Sequence, residues 1–177
     1  DIDYDITPDI ILMDGENYNL SIKAIEKFPN SIKVMDAGKV TDKVTKLCSK
    51  SDYIICSKEF AELVTKIRID FEDPNSFKLV LNKLNDMYKA NIIITLENKG
   101  CLYKIEDKIK LMSGIKVHAI DTTSAGDIFH GAFIYGLTKN LPLEKCLKIA
   151  NIAAGLSVKI PGSSNSIPDI MKVHSIY

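Results

Sequence analysis

Arginine is almost missing from this chain: of 23 basic residues only Arg68 is an arginine, and the rest are lysine. That removes the planar fork which grips phosphates or base edges through paired hydrogen bonds, so any phosphate site must rest on backbone amides and lysine. Net charge is missing too, because 23 acidic residues balance the basic ones. Without a global positive field, neither nucleic acid nor an anionic membrane is an expected partner. None of the four cysteines, Cys48, Cys56, Cys101 and Cys146, stands in a Cys-x-x-Cys pair. They read as reduced core thiols of a cytoplasmic protein, with no zinc or redox centre. A run of eighteen apolar residues is lacking, as is a charged-then-apolar leader, so neither a membrane span nor a signal peptide is indicated. Internal repeats and low-complexity tracts are absent as well.

What is present suits one sizeable core: 177 residues, 46% of them hydrophobic, read as one domain over 1–177. The acidic start, Asp1-Ile2-Asp3-Tyr4-Asp5, reads as a cut end. Short apolar runs at 9–15, 31–36, 52–57 and 91–96 have the continuous hydrophobicity of buried parallel strands. Between them lie helical patterns. Leu20, Ile22, Ala24, Ile25 and Phe28 form one stripe, and Val44, Leu47 and Cys48 a shorter one. Phe60, Ala61, Leu63 and Val64 face inward from a helix over 58–66, and Phe77, Leu79, Val80, Leu81, Leu84 and Met87 from one over 76–89. Such alternation predicts a mostly parallel sheet with helices on both faces. The rhythm then changes: 100–105 and 108–112, separated by Glu106-Asp107, predict an antiparallel hairpin at the sheet edge. A strand is expected over 115–120, a helix from Ile128 to Leu137, and a buried helix opening at residues 141–144 and running to Leu156. The loop 161–166 precedes a last short helix starting at Ile167-Pro168.

The polar heptad Asp121-Thr122-Thr123-Ser124-Ala125-Gly126-Asp127 falls at the expected strand-to-helix turn. First-turn amides have no intrahelical partner, and the positive end of the helix dipole points the same way, so an anion is the natural occupant. Ser124, Ala125 and Gly126 are small enough to let a phosphate reach the backbone. Asp127 would repel that phosphate unless its task is to take a proton from the attacking group. An anion hole beside a carboxylate is an arrangement for phosphoryl transfer. Parallel sheets hold ligands beyond the carboxyl ends of their strands, which places Asp14, Asp36, Ser57, Thr95 and this turn along one rim.

These residues carry a resemblance. Asp121 to Asp127 with Phe129 is similar to the Asp-Thr-x-Gly-Ala-Gly-Asp-x-Phe signature of the ribokinase-like (PfkB-type) carbohydrate kinases, with Ser124 standing where the family usually has glycine. The likeness extends over roughly residues 10–168. Thr95-Leu96-Glu97-Asn98-Lys99-Gly100 resembles the family's Thr-Leu-Gly-x-x-Gly turn, with Glu97 in place of the first glycine. Ser57-Lys58-Glu59-Phe60 occupies the place of an Asn-x-x-Glu motif and looks closer to ketohexokinase and fructokinase-like members.

The resemblance implies a ribokinase-like α/β fold of which 1–177 is the C-terminal part, without the family's N-terminal Gly-Gly motif and β-lid. It implies an ATP-dependent carbohydrate kinase using Mg2+, in which Asp127 is the base and Ser124, Ala125 and Gly126 form the anion hole. Ser57, Thr95, Gly100 and Asn151 are implied on the nucleotide side, and Asp121, Thr123 and Ser166 around a monovalent cation such as K+. The substrate is a small sugar, a homodimer would form through the lid, and this portion alone is expected to transfer phosphate poorly. His130, beside the base, reads as a packed helix residue rather than a substrate contact. Two alternatives stay open: a nucleoside kinase of the same family, and an inactive nucleotide-binding regulatory module suggested by Glu97, Ser57 and Phe60.

Overall fold

The structure is a computed structural model in which residues 6–177 are described; the acidic stretch 1–5 lies outside the described residues. Two compact units make up the chain. The first holds the described residues up to Thr95 together with Leu102–Lys110, and the second holds Leu96–Cys101 and Leu111–Tyr177.

In the first unit β1 (Ile10–Met13), β2 (Ile32–Ala37), β3 (Tyr53–Ser57) and β4 (Asn91–Thr95) alternate with α1 (Tyr18–Lys27), α2 (Asp42–Cys48), α3 (Lys58–Thr65) and α4 (Pro74–Tyr88). The four strands pair in parallel, with Met13 opposite Met35, Ala37 opposite Cys56 and Ser57 opposite Thr95. Consecutive residues are buried, Val34-Met35, Ile54-Ile55-Cys56 and Ile92-Ile93-Ile94, so both faces of the sheet are covered. That is why the strands are legible as unbroken apolar runs. β5 (Cys101–Ile105) and β6 (Lys108–Met112) complete a six-stranded sheet in the order β1 to β6. Glu106 and Asp107, at φ 47° and 62°, make the two-residue turn between them. Both left-handed torsions mark the hairpin turn whose twist matches antiparallel strands.

Side chains start most of these helices. Thr41 accepts from the Val44 N–H at 3.2 Å, Ser57 from Phe60 at 3.0 Å, and Asp73 from Asn75 at 3.1 Å with Pro74 in the first helical position. The inward stripes are narrower than expected. Phe60, Ala61, Val80, Leu81 and Leu84 are buried, whereas Leu63, Leu79 and Met87 are each nearly half exposed. Those three sit at the margin of the stripe, beyond what one sheet face can cover.

The second unit is built on α5 (Ala125–Thr138) and α6 (Leu143–Ser157), which pack closely together, with α7 (Ile170–Ile176) against α6. Ile128, Ile149, Ile152, Ala153, Leu156 and Val173 form its core. The strand expected over 115–120 is not formed; that segment is irregular. Its alternating apolar residues serve a different end. Ile115 fills the space left by the missing side chain of Gly155, and the amides of Ile120 and Asp121 both bond the carbonyl of Val158, at 2.7 and 3.1 Å, closing off the end of α6.

All four cysteines are free and buried. Burial pushes the Cys48 and Cys101 thiols up to about 12, Cys101 in spite of its bond from Asn151, and raises Cys56 further. Iodoacetamide followed by mass spectrometry should therefore label the native protein at pH 8 about 100-fold more slowly than the urea-unfolded chain.

Candidate active site

The entry to α5 is unusual among these helices because its N-cap residue carries a left-handed backbone and makes no side-chain cap. Ser124 sits at φ 60°, ψ 11°, and its hydroxyl bonds no first-turn amide. The Ala125 N–H closes a turn onto the Thr122 carbonyl at 3.2 Å, and the Ile128 N–H starts the helical ladder on the Ser124 carbonyl at 2.9 Å. Between them the N–H groups of Gly126 and Asp127 are first-turn donors with no capping side chain. Ala125, named for the anion hole, thus has its amide engaged inside the turn. A methyl group placed on Gly126 would touch nothing within 4 Å, so no neighbouring element packs against that residue's side-chain position.

Ser124 and Asp127 also line a cavity of about 470 Å³ within this unit, walled by Ile128, Gly131, Ala132 and Tyr135 of α5, Ile149 and Ala153 of α6, and residues of the 163–173 segment. Asp127 thus lines a cavity that is otherwise mostly apolar, next to the uncapped first-turn donors.

Asp121 holds the turn in place. Its carboxylate accepts from the Gly162 N–H at 2.8 Å and the Thr123 N–H at 2.9 Å, joining the start of the heptad to the loop after α6. Those donors, the Gly162 amide foremost and then the Thr123 hydroxyl and amide, lower its pKa from 3.8 to about 2. Ser166 belongs to the same loop, buried, and donates to the Ser163 carbonyl at 2.9 Å.

The residues expected on the nucleotide side are divided between the units. Ser57 and Thr95 lie opposite each other at the ends of β3 and β4 in the first unit. Ser57 caps α3, and Thr95 donates to the Cys56 carbonyl at 3.3 Å. Gly100 and Asn151 belong to the second. Gly100, at φ 97°, is stacked so tightly on the 112–114 backbone that any side chain would collide with it. Asn151 is buried and directs its amide to the Cys101 thiol at 3.6 Å, not to the cavity. Glu97, where the family turn has glycine, takes φ 53° and is exposed. The cavity wall of Tyr135, Ile149, Ile170 and Val173 was not visible beforehand; Gly131-Ala132, one helical turn after Asp127-Ile128, was the signal that could have found it.

Comparison with known proteins gives the family. The family model described as pfkB family carbohydrate kinase matches residues 18–170, so the chain belongs to that family. The ribokinase of Lactococcus lactis subsp. lactis (strain IL1403) is 30% identical over 112 residues, which are 59% of this chain and 37% of that protein. Among solved structures, the ribokinase of Thermotoga maritima superposes with a TM-score of 0.77 at 28% identity, covering 94% of this chain and 56% of that one. The Arabidopsis thaliana ribokinase complexed with ribose and ATP gives 0.80 at 25% identity, covering 94% and 55%. These relatives establish the ribokinase-like fold. The fructokinase-like leaning of the Ser57 segment has a lesser counterpart, a probable chloroplastic fructokinase-6 of the same plant at 28% identity over 145 residues. The chain spans 37% to 42% of the length of the first three curated relatives it matches.

Two outcomes follow from the backbone and from Asp121. Ser124 and Glu97 stand in left-handed torsions where the family signature has glycine, at a cost of about 1 kcal/mol each. Ser124→Gly and Glu97→Gly should each raise stability by up to about 0.5 kcal/mol in urea denaturation, since relief of strain slightly exceeds the entropy that glycine adds to the unfolded chain. The folded Asp121 carboxylate keeps its charge down to about 2, whereas an unfolded one protonates near 3.8. Its contribution is therefore complete above the higher value and disappears as pH falls through the lower one. Wild type and Asp121→Asn should differ in denaturation midpoint at neutral pH and converge on acidification.

Proposed function

We propose that the full-length protein is an ATP-dependent carbohydrate kinase that transfers the γ-phosphoryl group to a sugar hydroxyl. The observation that carries this reading is that Asp127 lines a cavity at the start of α5, where first-turn amides have no side-chain cap. Asp127 takes the hydroxyl proton as the alcohol oxygen forms its bond to the γ-phosphorus; the bond from phosphorus to the bridging oxygen breaks, and ADP leaves with the electron pair. The amides of Gly126 and Asp127 meet the charge that spreads over the transferred oxygens. They are fixed before the reaction, so little reorganisation is needed during it. With one arginine in the chain, these donors and the helix dipole replace an arginine clamp.

Magnesium fits this arrangement in one way. No group of three or more His, Cys, Asp or Glu side chains able to hold a metal exists among the described residues. A Mg2+ ion would thus be held through nucleotide phosphates and waters, where it supplies charge neutralisation of the phosphate oxygens. For a monovalent cation, Asp121, Thr123 and Ser166 offer oxygen ligands around the 121–123 turn and the loop after α6. Each Asp121 oxygen accepts one N–H, and the carboxylate brings the negative charge that such a cation favours. No helix among the described residues is long and apolar enough to cross a membrane, and a small-molecule enzyme acting in the cytoplasm is the reading we adopt. The exposed side chain of Glu97 leaves the kinase reading in place, because a carboxylate turned to solvent loads no charge onto the anion hole.

The test is Asp127→Asn in the full-length protein, assayed by coupled ADP release against a panel of sugars and nucleosides. Turnover should fall by about 10³-fold or more while ATP affinity by calorimetry changes little. An active Asn variant would end this assignment, and a nucleoside outperforming every sugar would move the acceptor class.

A further inference from the structure

His130 is a buried titratable side chain one helical turn from the proposed base, and its bond partner is informative. It is 5% exposed, and its Nδ1 lies 2.6 Å from the carbonyl oxygen of Gly126. A carbonyl can only accept, so Nδ1 carries the hydrogen and donates it. The oxygen it reaches belongs to the peptide group that joins Gly126 to Asp127. That group is planar and trans, which points its N–H opposite to its C=O. The N–H is the Asp127 amide, one of the two uncapped donors at the mouth of α5. Holding the carbonyl end of the plane therefore aims the donor end. Such a hold matters at Gly126, where a Cβ would meet nothing within 4 Å, so no side-chain packing adds to the helical ladder in fixing the peptide. Donation into the carbonyl also polarises the peptide and strengthens its N–H as a donor. The ring is itself fixed, buried on α5 and set edge-on to Phe129 with centroids 6.2 Å apart.

We infer that His130 is a positioning residue of the anion hole: through Gly126 it orients and polarises the Asp127 amide that meets the transferred phosphoryl group. This deepens the kinase reading and rests on it for the identity of the anion. The side chain acts through the peptide plane and does not touch substrate.

The full-length protein is compared as wild type, as His130→Phe, which fills similar space without a donor, and as His130→Asn, whose amide nitrogen can occupy the Nδ1 position. On titration with a non-hydrolysable ATP analogue, 15N–1H spectra should show the Asp127 amide shifting far less in the Phe variant than in wild type, with the Asn variant restored. Turnover should fall about tenfold in the Phe variant at little change in sugar KM, and return to within about threefold in the Asn variant. An unaltered Asp127 shift in the Phe variant, or an Asn variant no better than Phe, would overturn the inference. So would ring spectra of wild type placing the hydrogen on Nε2 with Nδ1 bare, a measurement that needs no variant to fold. If wild type phosphorylates nothing in the panel, the kinase reading falls, while the amide shift and the tautomer still decide the role of His130.

Discussion

Everything proposed for this protein depends on a backbone constraint at one residue. Ser124 enters α5 from the left-handed region, and in doing so it turns its hydroxyl away from the amides it would ordinarily cap. Serine at a helix start is favoured because it satisfies an orphan donor. Here that satisfaction is withheld, and the N–H groups of Gly126 and Asp127 are left without a side-chain cap. The strain at Ser124 and the availability of the donors are two sides of the same torsion.

Around that turn the second unit supplies support in layers. Asp121 ties the heptad to the loop after α6 from one direction, and the Val158 carbonyl gathers the two amides just before it. Ile115, seated against Gly155, anchors the approach. None of these contacts faces the cavity. They make the turn rigid, and rigidity lets fixed dipoles stabilise a developing charge without first rearranging.

Much of this could be read from the residues. Parallel strands declare themselves by consecutive β-branched side chains, so Ile92-Ile93-Ile94 and Ile54-Ile55 were found within a residue or two of their observed limits. Glu106-Asp107 gave the hairpin through turn chemistry alone. The failures share a cause in tertiary structure. Residues 115–120 alternate like a strand, but the alternation answers to the end of α6 and not to a neighbouring strand. Leu63, Leu79 and Met87 match a helical stripe whose outer margin the sheet does not cover. Asn151 looks polar and available in sequence, yet it is turned to a thiol that lies fifty positions away. The heptad named the turn that lines the cavity, while the link from His130 to Gly126 needed the fold to become visible.

The sheet is chemically lopsided at its two ends. β6 carries Lys108 and Lys110 within five residues, and such lysines resist the docking of another chain along a flank. β1, Ile10-Ile11-Leu12-Met13, carries no charge at all, and Leu12 is nearly half exposed. Growth of the sheet is thereby given a direction: lysine repulsion guards one margin, and the greasy opposite margin is where a seventh strand would be welcomed.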